Sequence, residues 1–272
     1  MITQADDSRE WTAVSVAPDD PADGHQRRAA AALAVELGLS CAIGVHAPAE
    51  RSRFRLAVTA SRVELHDGDA PRARPLFVDF VGGPTGFRRR SGLTRRQAIA
   101  RAVGMDRGAV RVVDATAGLG RDAFLFACLG CHVMAMERSP VLFALLRDGL
   151  ARARCEAAAD HRLGVILDRM TLLHADARDA LRAMVGEAAP DAVYLDPMYP
   201  PSSKSALPKR ELRICRALVG DDPDAAELFT IARAVARRRV VVKRSPHAGS
   251  LVDSPTHVHA GRRVRYDVYT RG

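Results

Sequence analysis

The sequence predicts a doubly wound α/β protein, with a Rossmann-like parallel sheet over residues 93–272 and a small N-terminal α/β subdomain over residues 1–92. Three observations lead to this class. Strand-like and helical segments alternate from residue 110 onward, a glycine-rich turn follows the first of these strands, and the first 92 residues carry short elements of their own. Such alternation is typical of parallel strands joined by crossover helices on both faces of a sheet.

The predicted subdomain holds one helix and several short strands. Its elements are an edge strand at Trp11–Val16, a helix at Arg27–Leu39, a hairpin of Phe54–Thr59 and Arg62–His66, and a strand at Leu76–Val81. Residues 82–92, GGPTGFRRRSG, predict a basic, glycine-rich loop. A capping box at Thr94–Gln97 predicts the start of a helix that ends near Val103.

The larger domain alternates regularly. Its predicted strands are Val110–Asp114, His132–Glu137, Thr171–His174, Ala192–Leu195, Arg239–Lys243 and Val264–Tyr269. The predicted helices are Asp122–Leu129, Val141–Ala159, Arg178–Val185, Lys209–Leu218 and Ala225–Ala236. Parallel strands in this order place their carboxyl ends along one edge, where open α/β sheets bind ligands.

Composition narrows the class of function. The net charge is +9 and the pI about 9.9, which favours a polyanionic partner. No run approaches the apolar length of a membrane span, and the acidic N-terminus is unlike a signal peptide, so we expect a cytoplasmic protein without a membrane partner. The spacing of Cys128 and Cys131 invites a zinc or redox interpretation, but no second pair completes four ligands, and we expect no metal.

The turn after the first strand of the larger domain predicts a nucleotide site. In VVDATAGLGRDA, Gly118 and Gly120 permit a tight turn and close approach of the backbone to a ligand. Glu137 ends the next strand, where a carboxylate can accept both hydroxyl protons of a ribose. Asp176 follows the third strand and could accept a bond from an adenine amino group or cap the next helix. Either a nicotinamide dinucleotide or S-adenosylmethionine fits these features.

The segment after the fourth strand favours the second cofactor. Asp196 ends an apolar strand at the same expected edge, and Pro197 removes a backbone donor. A carboxylate beside free carbonyls forms an acceptor-only pocket that suits a planar amino group. Tyr199 offers a ring on which a base could stack, a contact of roughly 1–3 kcal/mol. A nicotinamide-dependent dehydrogenase would have no catalytic use for this segment.

Ordered motifs carry a resemblance to a known family. YLDPMYP at 194–200 resembles the D/N-P-P-Y/F signature of amino-directed, S-adenosylmethionine-dependent methyltransferases, with Met198 in place of the second proline. With FVDFVGG at 77–83, three arginines at 88–90, VVDATAGLGRDAF at 112–124, KSAL at 204–207 and RVVVKR at 239–244, the chain resembles RsmJ. That family comprises bacterial small-subunit (16S) ribosomal RNA guanine-N2 methyltransferases.

The resemblance implies a class I methyltransferase sheet and a set of site residues. The cofactor-binding set comprises Asp114, Gly118, Gly120, Arg121, Asp122, Glu137, Arg138, Asp176, Ala177 and Asp196. The family has serines where Asp176 and Ala177 stand, which leaves the backbone N–H of Ala177 as its means of contact. Asp196, Pro197 and Tyr199 are the expected catalytic residues.

The expected reaction is methyl transfer from S-adenosylmethionine to the N2 amino group of a guanosine in 16S RNA, free or in the assembled small subunit. The candidate RNA contacts are Arg88, Arg89, Arg90, Lys204, Lys209 and Arg210. Three alternatives stay open from the residues alone. They are amino methylation of adenine or cytosine, a nicotinamide-dependent oxidoreductase, and a non-catalytic RNA-binding ribosome-assembly factor.

Overall fold

The structure is a computed structural model that describes residues 14–42, 52–108, 110–198, 210–261 and 264–271. It divides into two compact units, residues 1–77 and residues 78–272. This division lies upstream of the boundary at residue 92 that the sequence predicts. Within the described residues, no helix combines the length and apolar character that crossing a membrane requires.

The first unit is a four-stranded sheet with one helix. Its elements are β1 (Val14–Pro18), α1 (Gly24–Leu37), β2 (Ser40–Cys41), β3 (Phe54–Val58) and β4 (Val63–Asp67). The order β2-β1-β3-β4 confirms the β3–β4 hairpin but places β1 inside the sheet, so its prediction as an edge strand is wrong. Residues 11–13 of that predicted strand lie outside the described residues.

The second unit contains a seven-stranded sheet. Its strands are β5 (Arg111–Asp114), β6 (His132–Glu137), β7 (Met170–His174), β8 (Ala192–Leu195), β9 (Arg239–Arg244), β10 (His257–Ala260) and β11 (Arg265–Thr270). They are ordered β10-β11-β9-β8-β5-β6-β7, with β9, β8, β5, β6 and β7 mutually parallel and β11 antiparallel to both of its neighbours, β9 and β10. The carboxyl ends of five strands therefore meet at one edge.

Helices cover both faces of this sheet, which confirms the doubly wound class. They are α2 (Gly83–Arg90), α3 (Ala98–Val103), α4 (Arg121–Leu129), α5 (Pro140–Glu156), α6 (His161–Leu167), α7 (Ala177–Arg182), α8 (Arg210–Val219) and α9 (Ala225–Val235). On one face, Val193 and Val240 pack in a buried cluster with Leu181 of α7 and Phe229 of α9. On the other, Phe126 of α4 meets the ring of Tyr194 at a centroid distance of 5.0 Å.

Residues 82–92 correct a prediction, because they contain the helix α2 instead of a loop. The carboxylate of Asp79 accepts the N–H groups of Val81 and Gly82 at 3.0 and 2.8 Å, which fixes the chain just before the helix. Gly86 lies against the Val81 carbonyl, where no β-carbon fits. The three arginines occupy the last helical turn, where the helix dipole stabilises cations.

Several other elements also differ from prediction. The predicted strand at 76–81 reduces to a single bridge between Leu76 and Leu65. The capping box is absent, since α3 begins at Ala98 and Gln97 caps it without a side-chain bond. The single helix expected over 141–159 ends at residue 156, and Asp160 starts a separate helix, α6. The exposed strand β10 was missed because its HVHA sequence carries little apolar signal.

Candidate functional site

A crevice opens at the carboxyl ends of the parallel strands in the second unit. It contains about 610 Å³ not filled by protein atoms, part of it open to solvent. Its apolar wall includes Met136, Leu142, Pro197, Val219 and Leu228. Its charged lining consists of Glu137, Arg138, Asp176, Arg178, Asp196, Asp222 and Asp224. The predicted nucleotide turn and the predicted amino-binding segment therefore share one cavity.

Glu137 is the most buried carboxylate of this lining, with 5% of the residue exposed. Its Oε2 accepts the N–H of Gly118 at 2.7 Å, and its Oε1 accepts the N–H of Ser139 at 2.7 Å. Burial raises the pKa of Glu137 to about 7, although these two N–H donors act in the opposite direction. Each oxygen keeps a second acceptor position, as a ribose hydroxyl pair requires.

The glycine turn takes the shape that the sequence predicts. Gly118 and Gly120 have φ angles of +54° and +69°, a region that favours glycine. A side chain at Gly120 would also collide with Leu146. The buried carboxylate of Asp114 accepts the Thr116 N–H at 3.2 Å, and burial raises its pKa well above the ordinary value. Asp114 thus supports the turn from beneath.

A lysine between two carboxylates forms the centre of the substrate side. The Nζ of Lys243, in β9, lies 2.7 Å from Asp196 Oδ2 and 2.7 Å from Asp122 Oδ2. The hydroxyl of Tyr194 donates to the same Asp122 oxygen at 2.7 Å. Desolvation alone would lower the pKa of Lys243, but the two carboxylates raise it strongly. The ammonium therefore stays charged and fixes both acids.

The two acids of this network differ in environment. Desolvation raises the pKa of Asp196, an effect that Lys243 opposes and the charge of Asp122 reinforces. Desolvation also disfavours ionised Asp122, yet Lys243 and the Tyr194 hydroxyl lower its pKa overall. The side chain of Asp196 is 41% exposed and that of Asp122 is 17% exposed. Asp196 is thus the member of the pair that can meet a substrate.

Main-chain bonds hold the segment after β8 in place. The N–H of Asp196 donates to Thr116 Oγ1 at 2.7 Å, which joins this strand end to the glycine turn. The N–H of Met198 donates to the Asp222 carboxylate at 2.6 Å, and the N–H of Asp222 returns a bond to the Met198 carbonyl at 3.1 Å. The Asp-Pro-Met segment is therefore positioned from both sides, despite the missing second proline.

Two ion-pair groups complete the acidic wall. Arg138 binds Asp222 and, at 2.6 Å, Asp224. Asp176 accepts the N–H of Arg178 at 2.8 Å, which confirms it as the N-cap of α7, and also binds the Arg178 guanidinium at 2.7 Å. That side-chain bond and the N-cap bond lower the pKa of Asp176, although partial burial opposes them.

The predicted cofactor residues separate into two groups. Those that line the crevice are Gly118, Glu137, Arg138, Asp176, Ala177 and Asp196. The lining does not include Asp114, Gly120 or Asp122, although Asp114 accepts the N–H of Thr116 and Asp122 accepts a bond from Lys243. Arg121 pairs with Glu211 at 2.8 Å and lines a second cavity, with Arg88 and Arg89. Direct contact with a cofactor stays a prediction for both groups.

The predicted RNA contacts are also placed unevenly. Arg88 is exposed, whereas Arg89 pairs with Asp160 at 2.8 Å and is 13% exposed. Arg90 donates to the Val81 carbonyl at 2.7 Å, and Arg210 begins α8. Tyr199, Lys204 and Lys209 lie outside the described residues. Arg88 is thus the member of the arginine run best placed for a ligand.

Several site residues were not predicted from the sequence. Each of them contacts a predicted residue, and they are Lys243, Thr116, Asp222, Asp224 and Arg178. Lys243 had a usable signal, since it is a lone lysine at the end of a buried valine run. The DDPD segment at 221–224 gave none, because its acids resemble a solvated turn.

The environment of Cys128 and Cys131 bears on the zinc or redox interpretation of their spacing. Burial raises the pKa of Cys128 and of Cys131 to about 12, so neither forms a ready thiolate. Within the described ranges, no three His, Cys, Asp or Glu side chains gather in a way that could hold a metal ion. We therefore interpret Cys128 and Cys131 as small apolar residues that contribute to packing.

The charge of the crevice discriminates between the two cofactors. Its lining offers five carboxylates and two guanidiniums, and both guanidiniums are paired with acids. A dinucleotide would bring a pyrophosphate against these carboxylates, and the Gly118 N–H that could receive it binds Glu137. S-adenosylmethionine has an ammonium group, ribose hydroxyls and an adenine amino group that donate hydrogen bonds, and a sulfonium whose positive charge nearby carboxylates stabilise. The residues present fit this cofactor and not a nicotinamide dinucleotide.

Comparisons with known proteins agree with this chemistry. Residues 39–271 match the family described as "Putative SAM-dependent methyltransferase". Ribosomal RNA small subunit methyltransferase J of Photobacterium profundum is 47% identical over 82% of this chain and 88% of its own. The protein of the same name from Aeromonas hydrophila is 46% identical over 92% of this chain and 95% of its own.

A solved structure extends the agreement to the fold. The crystal structure of a SAM-dependent methyltransferase from Neisseria gonorrhoeae has a TM-score of 0.70 and 31% identity, covering 94% of this chain and 95% of that one. The crevice chemistry, the family match and these relatives agree. The chain belongs to the ribosomal RNA small subunit methyltransferase J family of S-adenosylmethionine-dependent methyltransferases.

Proposed function

We propose that the enzyme methylates the exocyclic N2 amino group of a guanosine in the RNA of the small ribosomal subunit, in the cytoplasm. The observation that carries the proposal is Asp196, which lies on the crevice wall and is fixed by Lys243 at 2.7 Å. The relatives are named as methyltransferases of small-subunit ribosomal RNA, which specifies the substrate. The resemblance of the sequence motifs to this family further specifies the N2 amino group of guanine as the methyl acceptor.

The cofactor, when bound, supplies an electrophilic methyl group on a sulfonium. Glu137 would accept the ribose hydroxyls, and the apolar wall formed by Met136, Leu142 and Leu228 would contact the adenine. Asp176 keeps limited acceptor capacity for the adenine amino group, because its carboxylate already binds Arg178. These residues hold and orient the cofactor.

The acceptor nitrogen needs orientation more than a strong base. Its lone pair is delocalised into the purine, so it is a poor nucleophile until its hydrogens are held. Asp196 Oδ and the Pro197 carbonyl would accept the two N–H bonds and direct the lone pair toward the methyl group. Such alignment can supply roughly 7–11 kcal/mol of barrier reduction. As the methyl–sulfur bond breaks and the N–C bond forms, the sulfur would leave as a neutral thioether, and Asp196 would accept the proton of the newly acidic nitrogen.

The target base must leave its stack to reach this position. Tyr199, outside the described residues, is the proposed stacking partner. Arg88 on α2 is exposed and lies near enough to the network to lower the pKa of Asp122, so it is a proposed contact for the flanking phosphates. A non-catalytic RNA-binding factor would give the acidic crevice no task.

The test is transfer of tritium from labelled S-adenosylmethionine to unmodified small subunits and, in parallel, to their free RNA. Digestion and mass spectrometry of the nucleosides identify the acceptor. We expect N2-methylguanosine at one position. N6-methyladenosine or N4-methylcytidine would overturn the guanine assignment. Absence of RNA label with both substrates would overturn the RNA assignment.

A further inference from the structure

We propose that the seven-stranded sheet has a second RNA-binding surface at the amino ends of its parallel strands, on the side opposite the crevice. This surface, called the amino edge, would bind phosphates remote from the methylated base. We define the amino-edge cluster as Arg111, Arg237, Arg238, Arg239 and Arg271. The proposal rests on the proposed function, since it takes the substrate to be a large RNA.

Strand order brings these arginines together. Arg239 opens β9, and Arg237 and Arg238 precede it. The β9–β11 register pairs Arg239 with Thr270, and the N–H of Arg271 donates to the Arg238 carbonyl at 2.8 Å. Four of the arginines line one cavity, together with His257 and Thr270. Arg111 opens β5, two strand spacings or about 10 Å from β9.

Main-chain carbonyls orient Arg111, Arg237 and Arg271 without neutralising their charge. Arg111 donates to the Glu187 carbonyl at 2.6 Å, and Arg237 donates to the Gly186 carbonyl at 2.9 Å. Arg271 donates to the Ala236 carbonyl at 3.3 Å. In the part of the chain that the structure describes, the guanidiniums of Arg111, Arg237, Arg238 and Arg271 have no carboxylate partner. The charges of these four guanidiniums are therefore left available, and hydrogen bonds hold Arg111, Arg237 and Arg271 in place.

The chemistry that best matches such a surface is a run of phosphates. Guanidiniums bind phosphate oxygens in bidentate fashion, and gathering several that lack a carboxylate partner is unfavourable until a polyanion arrives. The Asp191 carboxylate, which accepts the main-chain N–H of Arg111 at 2.8 Å, offsets only part of this charge. His257 and Thr270 add polar groups to the same cavity. An anionic membrane is a poorer match, because the cavity lining contains no large apolar side chain to insert into lipid.

The location separates docking from chemistry. From Arg239 to Lys243, β9 runs four residues, or roughly 13 Å, and Lys243 contacts Asp196 at the far end. The amino-edge cluster therefore cannot touch the base in the crevice. It would bind another part of the folded RNA, so its loss should weaken binding and leave the rate of the bound complex unchanged.

The experiment compares two double variants that each remove two positive charges. Arg237→Gln/Arg238→Gln changes the amino-edge cluster, and Arg28→Gln/Arg154→Gln changes exposed arginines of α1 and α5. RNA binding is measured against salt, and methyl transfer is measured under single turnover at saturating small subunits. For the first variant we expect roughly tenfold weaker binding and a salt slope smaller by about 1.4–1.8. Its single-turnover rate of methyl transfer at saturating small subunits should stay within about twofold of the wild-type rate. The control variant should match the wild type in RNA binding and in this rate.

Three outcomes would overturn the inference. Unchanged binding by the amino-edge variant would show that RNA does not contact this edge, and equal losses by both variants would show a general charge effect. Loss of binding to phosphatidylglycerol vesicles with RNA binding intact would identify lipid as the ligand. Arg237→Lys/Arg238→Lys keeps the charge and should restore binding, which separates the effect from misfolding. If the wild type neither binds nor methylates RNA, the proposed function fails instead.

Discussion

The two edges of the large sheet handle charge in opposite ways. At the carboxyl edge, Lys243 lies between Asp122 and Asp196, and Arg138 binds Asp222 and Asp224. At the amino edge, Arg237 and Arg271 donate to main-chain carbonyls and keep their charge. At the carboxyl edge most of the acidic groups around the cavity are paired with cations. At the amino edge few carboxylates offset the positive charge of the arginines.

This difference indicates a division of labour within one domain. Paired charges are rigid and desolvated, which suits the precise placement of a cofactor and an amino group. Uncompensated arginines attract a polyanion over distance and bind it in a salt-dependent way. Variants at the two edges should therefore fail in different ways, and the predictions below run from the largest expected effect to the smallest.

Asp196→Ala should give the largest loss. It removes the acceptor for the substrate amino group, and loss of one preorganised polar group typically lowers kcat by about 10²–10³-fold. The RNA affinity should change by less than about twofold, since the phosphate contacts remain. The matched control is Asp179→Ala, an exposed acid of α7 with an 82% accessible side chain. Equal loss of rate and RNA affinity would contradict a catalytic role for Asp196.

Glu137→Gln should weaken cofactor binding by roughly 10- to 100-fold, because bonds to a charged acceptor contribute about 1.5–3 kcal/mol. Calorimetry with S-adenosylhomocysteine measures the change. Glutamine would leave the N–H of Gly118 or Ser139 without its acceptor, so Tm must be measured alongside. Wild-type affinity in a folded variant would exclude Glu137 from the site.

The pH dependence of cofactor binding should follow Glu137. With a pKa of about 7, most of this group is protonated at pH 6 and ionised at pH 8, so affinity should rise about tenfold across that interval. Folding stability should respond in the opposite direction, since the folded pKa exceeds the ordinary value of 4.5. The contribution of Glu137 to the free energy of unfolding is fully present below pH 4.5 and is lost as the pH rises through about 7. Affinity that stays flat from pH 6 to 8 would contradict the assignment.

Arg88→Gln should have the smallest effect, a reduction of the salt slope of RNA binding by about 0.7–0.9 for one lost phosphate contact. Its neighbour Arg89 is the internal control, because its guanidinium already binds Asp160 at 2.8 Å. Arg89→Gln should lower Tm and leave the slope nearly unchanged. The reverse pattern would mean that Arg89 is the RNA contact of α2.

The sequence predicted most of the second unit because its strands are strong local signals. Buried valine runs such as Val112–Val113 and Val240–Val242 specify strands regardless of their neighbours. The helix α2 was missed because its start depends on the Asp79 carboxylate and on the fit of Gly86 against the chain, which local composition does not show.

The candidate site was predicted in part for a similar reason. Glu137 ends one apolar strand and Asp196 directly follows another, so their meeting at one edge follows from parallel topology. The partner of Asp196 is Lys243, 47 residues away in the chain, and the same lysine reaches Asp122 across 121 residues. Only the folded structure shows which acids share a cation and which face the crevice.

The central claim is that the carboxyl-edge crevice holds the cofactor beside Asp196. A crystal structure of the enzyme with S-adenosylhomocysteine tests it most directly. We predict that the ribose hydroxyls lie within hydrogen-bond distance of the Glu137 carboxylate and that the ligand sulfur faces Asp196. Ligand density outside the crevice, or a ribose that makes no contact with Glu137, would contradict it.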